Sequence, residues 1–126
     1  MDRRSVGKAG EDAAVAFLMG RGYRILDRNV RCRRGEIDVV ASDGETVCFV
    51  EVRTRCGVVP HALPLESVDA RKQRRLAGLA LFYLKRRGWC GRRARFDVVS
   101  VVLEEGRPRV ALVRNAFSLS DIPFMS

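Results

Sequence analysis

Apolar and polar positions alternate along this chain with two different periods. In residues 7–20, Ala13, Ala14, Phe17 and Leu18 fall on one face at the helical period, and Gly10 extends that face backward. Gly20 and Gly22 end the helix, and Glu11, one turn before Ala14 and Leu18, borders its buried side. Residues 23–30 read as a strand centred on Ile25 and Leu26. Residues 35–42 and 46–54 are the clearest strands, with Asp43-Gly44 as a two-residue hairpin signal between them. That turn sets Val40 opposite Val47, Asp38 opposite Phe49 and Glu36 opposite Glu51. One face then carries Glu36, Asp38, Val40, Val47, Phe49, Glu51 and Arg53, and the other Ile37, Val39, Ala41, Cys48, Val50 and Val52. Both faces are apolar near the turn, so a layer is expected on each side. Residues 57–65 read as loop. Residues 66–88 read as a second helix, with a stripe of Leu76, Leu79, Ala80, Tyr83 and Leu84. Residues 95–104 and 108–115 are the last two strands, joined near Glu105-Gly106. The order α-β-β-β-α-β-β predicts an α/β fold. A mixed sheet of about five strands lies between helices, in one domain over residues 1–126.

Charge changes this picture by its location. The chain has 24 basic and 15 acidic residues, a net +9. Ten of the basic residues lie between Arg71 and Arg95, where there is no acidic one. The remainder is nearly neutral. Such a local field suits a polyanion, nucleic acid first and an anionic membrane surface second. No apolar run approaches the ~18 residues of a membrane span. The longest, Leu76 to Leu84, is interrupted by Gly78. Glu11 and Asp12 directly precede the apolar stretch Ala13–Met19, which a signal peptide would not favour. Cys32, Cys48, Cys56 and Cys90 contain no C-x-x-C pair and read as reduced thiols of a cytoplasmic protein. His61, the only histidine, reads as a loop residue with Pro60 and Pro64 around it, so a histidine-based triad is not expected and a multi-histidine metal site is not available within one chain.

Candidate chemistry lies in the central hairpin. In the expected register Asp38 and Glu51 are diagonal neighbours, roughly 7–8 Å apart at Cα, and Arg53 points to the same side. Two carboxylates on an apolar hairpin can hold Mg²⁺ for phosphodiester hydrolysis, and a nearby cation can steady the attacking water or the developing charge. The same spacing also fits a structural ion-pair ladder of Glu51 and Arg53, with Asp38 at a solvated strand end.

Longer motifs add to this. Gly7-Lys8-Ala9-Gly10-Glu11 with Ala14 and Leu18, then Arg28-Asn29, Arg31 and Gly35-Glu36-Ile37-Asp38, form the first blocks. Phe49 to Arg55, then Val68, Lys72, Leu76, Ala80 and Tyr83-Leu84, then Phe96-Asp97-Val98 and Asn115-Ala116-Phe117 complete them. Together, in this order, the blocks resemble the YraN-like family of predicted endonucleases. That family is distantly related to archaeal Holliday junction resolvases and has the restriction-endonuclease-like fold. The resemblance implies a PD-(D/E)-x-K core acting on DNA rather than RNA, with Mg²⁺ or Mn²⁺ as cofactor. It implies Asp38 and Glu51 as metal ligands, an oxygen from the Val52 carbonyl, and Glu11 as an accessory carboxylate. Arg53 occupies the lysine slot. Arginine stays protonated, so it can stabilise charge or orient phosphate but cannot act as a base. Two outcomes follow: a working site with an arginine clamp, or a weakened site that only binds nucleic acid. A basic RNA-binding protein without an active site is the third candidate.

Phosphate contacts are expected from Lys72 and Arg75, three apart on the second helix, and from Arg71, Arg33, Arg34 and Arg55. Resolvase-like relatives often work as dimers, which makes a homodimer the candidate oligomer.

Overall fold

The computed structural model describes residues 2–57, 69–104 and 107–117. Its elements are α1 (Arg3–Gly20), β1 (Arg24–Cys32), β2 (Gly35–Asp43), β3 (Thr46–Cys56), α2 (Ala70–Arg87), β4 (Ala94–Leu103) and β5 (Pro108–Phe117), in the expected order. The strands form one sheet, β1-β2-β3-β4-β5. All neighbours are antiparallel except β3 and β4. A parallel pair needs a long crossover, and the segment holding α2 provides it.

Side-chain capping moves both helix starts. The Asp2 carboxylate accepts from the Ser5 N–H at 2.8 Å, so α1 begins earlier than residue 7. Asp69 accepts from the Lys72 N–H at 2.8 Å, so α2 begins at Ala70. The expected start at 66–68, the loop after residue 57 and the Glu105-Gly106 joint lie outside the described residues. Gly88, at φ +70, ends α2 in the left-handed conformation.

Each helix covers one face of the sheet. Ala14 and Leu18 of α1 pack on Val39, Ala41, Cys48, Val50, Val99 and Val101. Leu76, Leu79, Ala80, Tyr83 and Leu84 of α2 pack on Ile37, Val40, Val47, Phe49, Phe96 and Val98. The α/β fold with helices on both sides is therefore as the periodicity implies.

The hairpin register differs from expectation. Asp43 pairs with Thr46 and Val40 with Phe49, so the turn residues are Gly44-Glu45 rather than Asp43-Gly44. Only Gly44 has positive φ, +61, and a turn with glycine at its first central position requires just that. Asp43 stays in the strand because Arg95 and Arg114 hold its carboxylate.

Gly10 sets how close α1 comes to β3. A Cβ there would lie 2.7 Å from the Thr54 Cβ and closer still to the Thr54 Oγ1 and Cγ2. Gly10→Ala improves helix propensity by about 1 kcal/mol, yet overpacking costs about 1–3 kcal/mol. We expect a net loss of stability in urea unfolding, because the clash is with a Cβ that cannot rotate away. A stabilised variant would contradict this close approach.

Candidate metal and phosphate site

The site is built where two paired strands change face together. Arg28 pairs with Val39 and Val30 with Ile37, which sets Asn29 opposite Asp38. Regular alternation would keep Ile37 and Val39 on one face. Instead Val39 packs under α1 and Ile37 under α2. On β1, Arg28 reaches the carboxylates of α1 while Val30 packs in the α2 cluster. Asn29 makes this roll, with φ +51 in the middle of a strand. The expectation that Glu36 and Asp38 share a face with Val40, Phe49 and Glu51 is thereby corrected: both side chains line a cleft beneath α1.

That cleft, of about 620 Å³, is lined among others by Arg3, Glu11, Glu36, Asp38, Val52 and Thr54. Glu11, Glu36 and Asp38 each bring one carboxylate oxygen to within 4.8 Å of the other two. Each is set by a specific partner. Asn29 Nδ2 donates to Glu11 Oε2 and to Glu36 Oε1, both at 2.9 Å. Arg28 Nε donates to Glu11 Oε1 at 3.2 Å, and Arg31 Nε to Glu36 Oε2 at 3.0 Å. Asp38 Oδ2 accepts from the Val52 N–H at 2.8 Å, beyond the last ladder pair of β2 and β3. Burial pushes the Asp38 carboxyl up from 3.8 to about 6. The Val52 N–H opposes that rise, and the charges of Glu11, Glu36 and Glu51 add to it.

Glu51 stands on the α2 side. It lines a second cavity of about 310 Å³ with Arg75, and Glu36 and Asp38 line both cavities. The Glu51 Oε1 is paired with the Lys72 ammonium of α2. Arg53 approaches its Oε2 at 3.4 Å, yet among the described residues that buried oxygen has no hydrogen-bond partner. The structure thus gathers Glu11 and Asp38 with Glu36, and sets Glu51 among Lys72, Arg53 and Arg75. Glu36 and Asn29 escaped sequence reasoning, since strict alternation places Glu36 with Glu51 and gives Asn29 no role. The available signal was the asparagine itself, a residue that tolerates positive φ.

The other basic candidates occupy several places. Arg71 and Arg75 are exposed on the first half of α2, and Arg33 and Arg55 are exposed at the ends of loops and strands. Arg34 lies across α2 at Gly78, where a Cβ would sit 2.7 Å from its guanidinium. Lys72, expected to face phosphate freely beside Arg75, is engaged with Glu51.

Asn29 separates two contributions. Asn29→Ala loses the bridging amide and forces alanine into the left-handed region, for about 1–3 kcal/mol. Asn29→Gly loses only the amide and is expected to cost less. Equal losses in denaturant unfolding would contradict the backbone role.

The chain is similar to proteins of several bacteria. It is 52% identical to a UPF0102 protein of Moorella thermoacetica over 120 residues, 93% of this chain and 98% of that protein. It is 54% identical to one of Symbiobacterium thermophilum over 115 residues, 90% and 97% of the two chains. With one of Syntrophus aciditrophicus it shares 46% over 114 residues, 90% and 89% of the two chains. The model of the uncharacterised protein family UPF0102 matches residues 10–101, a span that takes in Glu11, Asn29, Glu36, Asp38, Glu51 and Lys72. This protein belongs to the UPF0102 family.

Proposed function

We propose that this protein is a metal-dependent endonuclease that hydrolyses DNA phosphodiester bonds through a PD-(D/E)-x-K-like site. The observation that carries the reading is the convergence of Glu11, Glu36 and Asp38 on one cleft, beside a Glu51 whose buried Oε2 has no hydrogen-bond partner among the described residues. The residues fit a hard divalent cation: the donors are all carboxylate oxygens, and burial, with the charges of Glu11, Glu36 and Glu51 adding to it, pushes the Asp38 carboxyl up. Glu11, Glu36 and Asp38 would hold Mg²⁺ or Mn²⁺, and Glu51, whose cavity Asp38 and Glu36 also line, would complete the set from the α2 side. A cation bound there polarises the phosphoryl group and lowers the pKa of water. Arg53 remains charged and steadies the charge developing on the phosphate. Arg71 and Arg75 hold the backbone, where contacts are insensitive to sequence.

A second reading has its own support. Arg28, Asn29 and Arg31 already satisfy Glu11 and Glu36, and Lys72 and Arg53 neutralise Glu51. A nuclease-like domain that binds nucleic acid without cutting it would look the same. The deciding experiment incubates the wild-type protein with labelled duplex, single-stranded, flap and four-way DNA in Mg²⁺, Mn²⁺ or chelator. Cleavage of at least one DNA, abolished by chelator, is expected. Metal-independent binding with every DNA intact would favour the silent domain.

A further inference from the structure

Lys72 sits in the first turn of α2, where a cation is electrostatically disfavoured by the helix dipole. Asp69 caps that end, but no acidic residue lies within the turn itself. Residues that break a local rule without a local gain mark functional or strained sites. Here the gain lies across the sheet face. The Asp69 cap fixes the turn through the Lys72 N–H, and the Lys72 side chain reaches Glu51 on β3. Arg75, one turn on, lines the same cavity as Glu51 and Asp38.

Resting on the nuclease reading, we infer that Lys72 is the catalytic cation of this site, supplied from α2 where the strand carries Arg53. It holds Glu51 while that carboxylate has no divalent partner. With Glu51 given over to a divalent cation, the Lys72 ammonium would be free to face a phosphate held at the cavity mouth by Arg75, with Arg71 beside it on α2. Lysine suits this exchange because its charge is compact and its stem flexible, whereas a guanidinium is planar and directional. Lys72 and a divalent cation therefore compete for Glu51, and the competition is measurable without any turnover.

The test combines Mn²⁺ affinity by calorimetry with cleavage of whichever panel DNA the wild type cuts. Variants are Lys72→Met, Lys72→Arg and Arg53→Met, each checked for folding by melting. Lys72→Met is expected to bind Mn²⁺ about tenfold more tightly and to cut about 100-fold more slowly, the scale of losing one electrostatic stabiliser. Lys72→Arg, which keeps the charge, should retain at least roughly a tenth of the wild-type rate. Arg53→Met should lose less than Lys72→Met. The inference is overturned if Lys72→Met leaves either Mn²⁺ affinity or rate unchanged. It is also overturned if Lys72→Arg falls as far as Lys72→Met, or if Arg53→Met shows the larger loss. A wild-type protein that takes up no Mn²⁺, or takes it up and cuts no DNA, removes the nuclease reading itself.

Discussion

Asp97→Ala is expected to destabilise the fold by about 3–5 kcal/mol, the usual cost of leaving a buried charge without its partner. Asp97 is 1% exposed on β4. Its carboxylate accepts from Tyr23 Oη at 3.0 Å, from Arg95 Nε at 3.0 Å and from the Asn115 N–H at 2.8 Å. Arg95 continues to Asp43 at 2.8 Å and to Tyr23 Oη at 2.9 Å. One side chain thus ties the segment after α1, the β2 end of the hairpin and both C-terminal strands. Asn115, at φ +54, is held by the same contact. Alanine removes the acceptor of the Asn115 N–H and one buried partner each of the Arg95 guanidinium and the Tyr23 hydroxyl, which keep only Asp43 and each other. Asp97→Asn keeps one acceptor and should cost less. Urea unfolding at constant m-value checks both, and a loss below about 1 kcal/mol for Asp97→Ala would contradict the network's role.

Asp38→Asn should have the opposite effect on the metal-free fold. The Asp38 carboxyl is pushed up to about 6 in the folded chain. A group raised on folding contributes stability that is fully present below its unfolded pKa and lost as pH rises through its folded one. Metal-free wild type should therefore weaken between roughly pH 4 and pH 6 through this residue. Asparagine keeps an acceptor for the Val52 N–H and carries no charge toward Glu11, Glu36 and Glu51. At pH 7.5 the variant should be more stable than wild type by about 1–3 kcal/mol, and near pH 4 the two should converge. The same change removes a carboxylate ligand, so the stabilised variant should cut no DNA. A variant less stable than wild type at pH 7.5 would show that the carboxylate is not under repulsion.

Most of the architecture was legible because burial imposes it. The helical stripe of Leu76, Leu79, Ala80, Tyr83 and Leu84 and the apolar strands around Val40 and Phe49 each have one way to face a core. What was not legible depends on single side chains acting on the backbone. Asp2 and Asp69 move the helix starts by accepting N–H groups. Asp43 is kept out of the turn by two arginines distant in sequence. Asn29, by adopting positive φ, reverses the faces of two strands, so that period-two reasoning places Glu36 and Asp38 on the wrong side. The clustered basic residues were visible as a charge run. That one of them, Lys72, turns inward to Glu51 follows only from the packing of α2 on the sheet.

The central claim, that this carboxylate cluster holds a divalent cation, is tested most directly by titrating Mn²⁺ into wild type and Asp38→Asn at pH 7.5 in a calorimeter. Saturable binding to the wild type, lost in Asp38→Asn, is the result expected. No saturable binding to the wild type, or equal binding to both proteins, would contradict it.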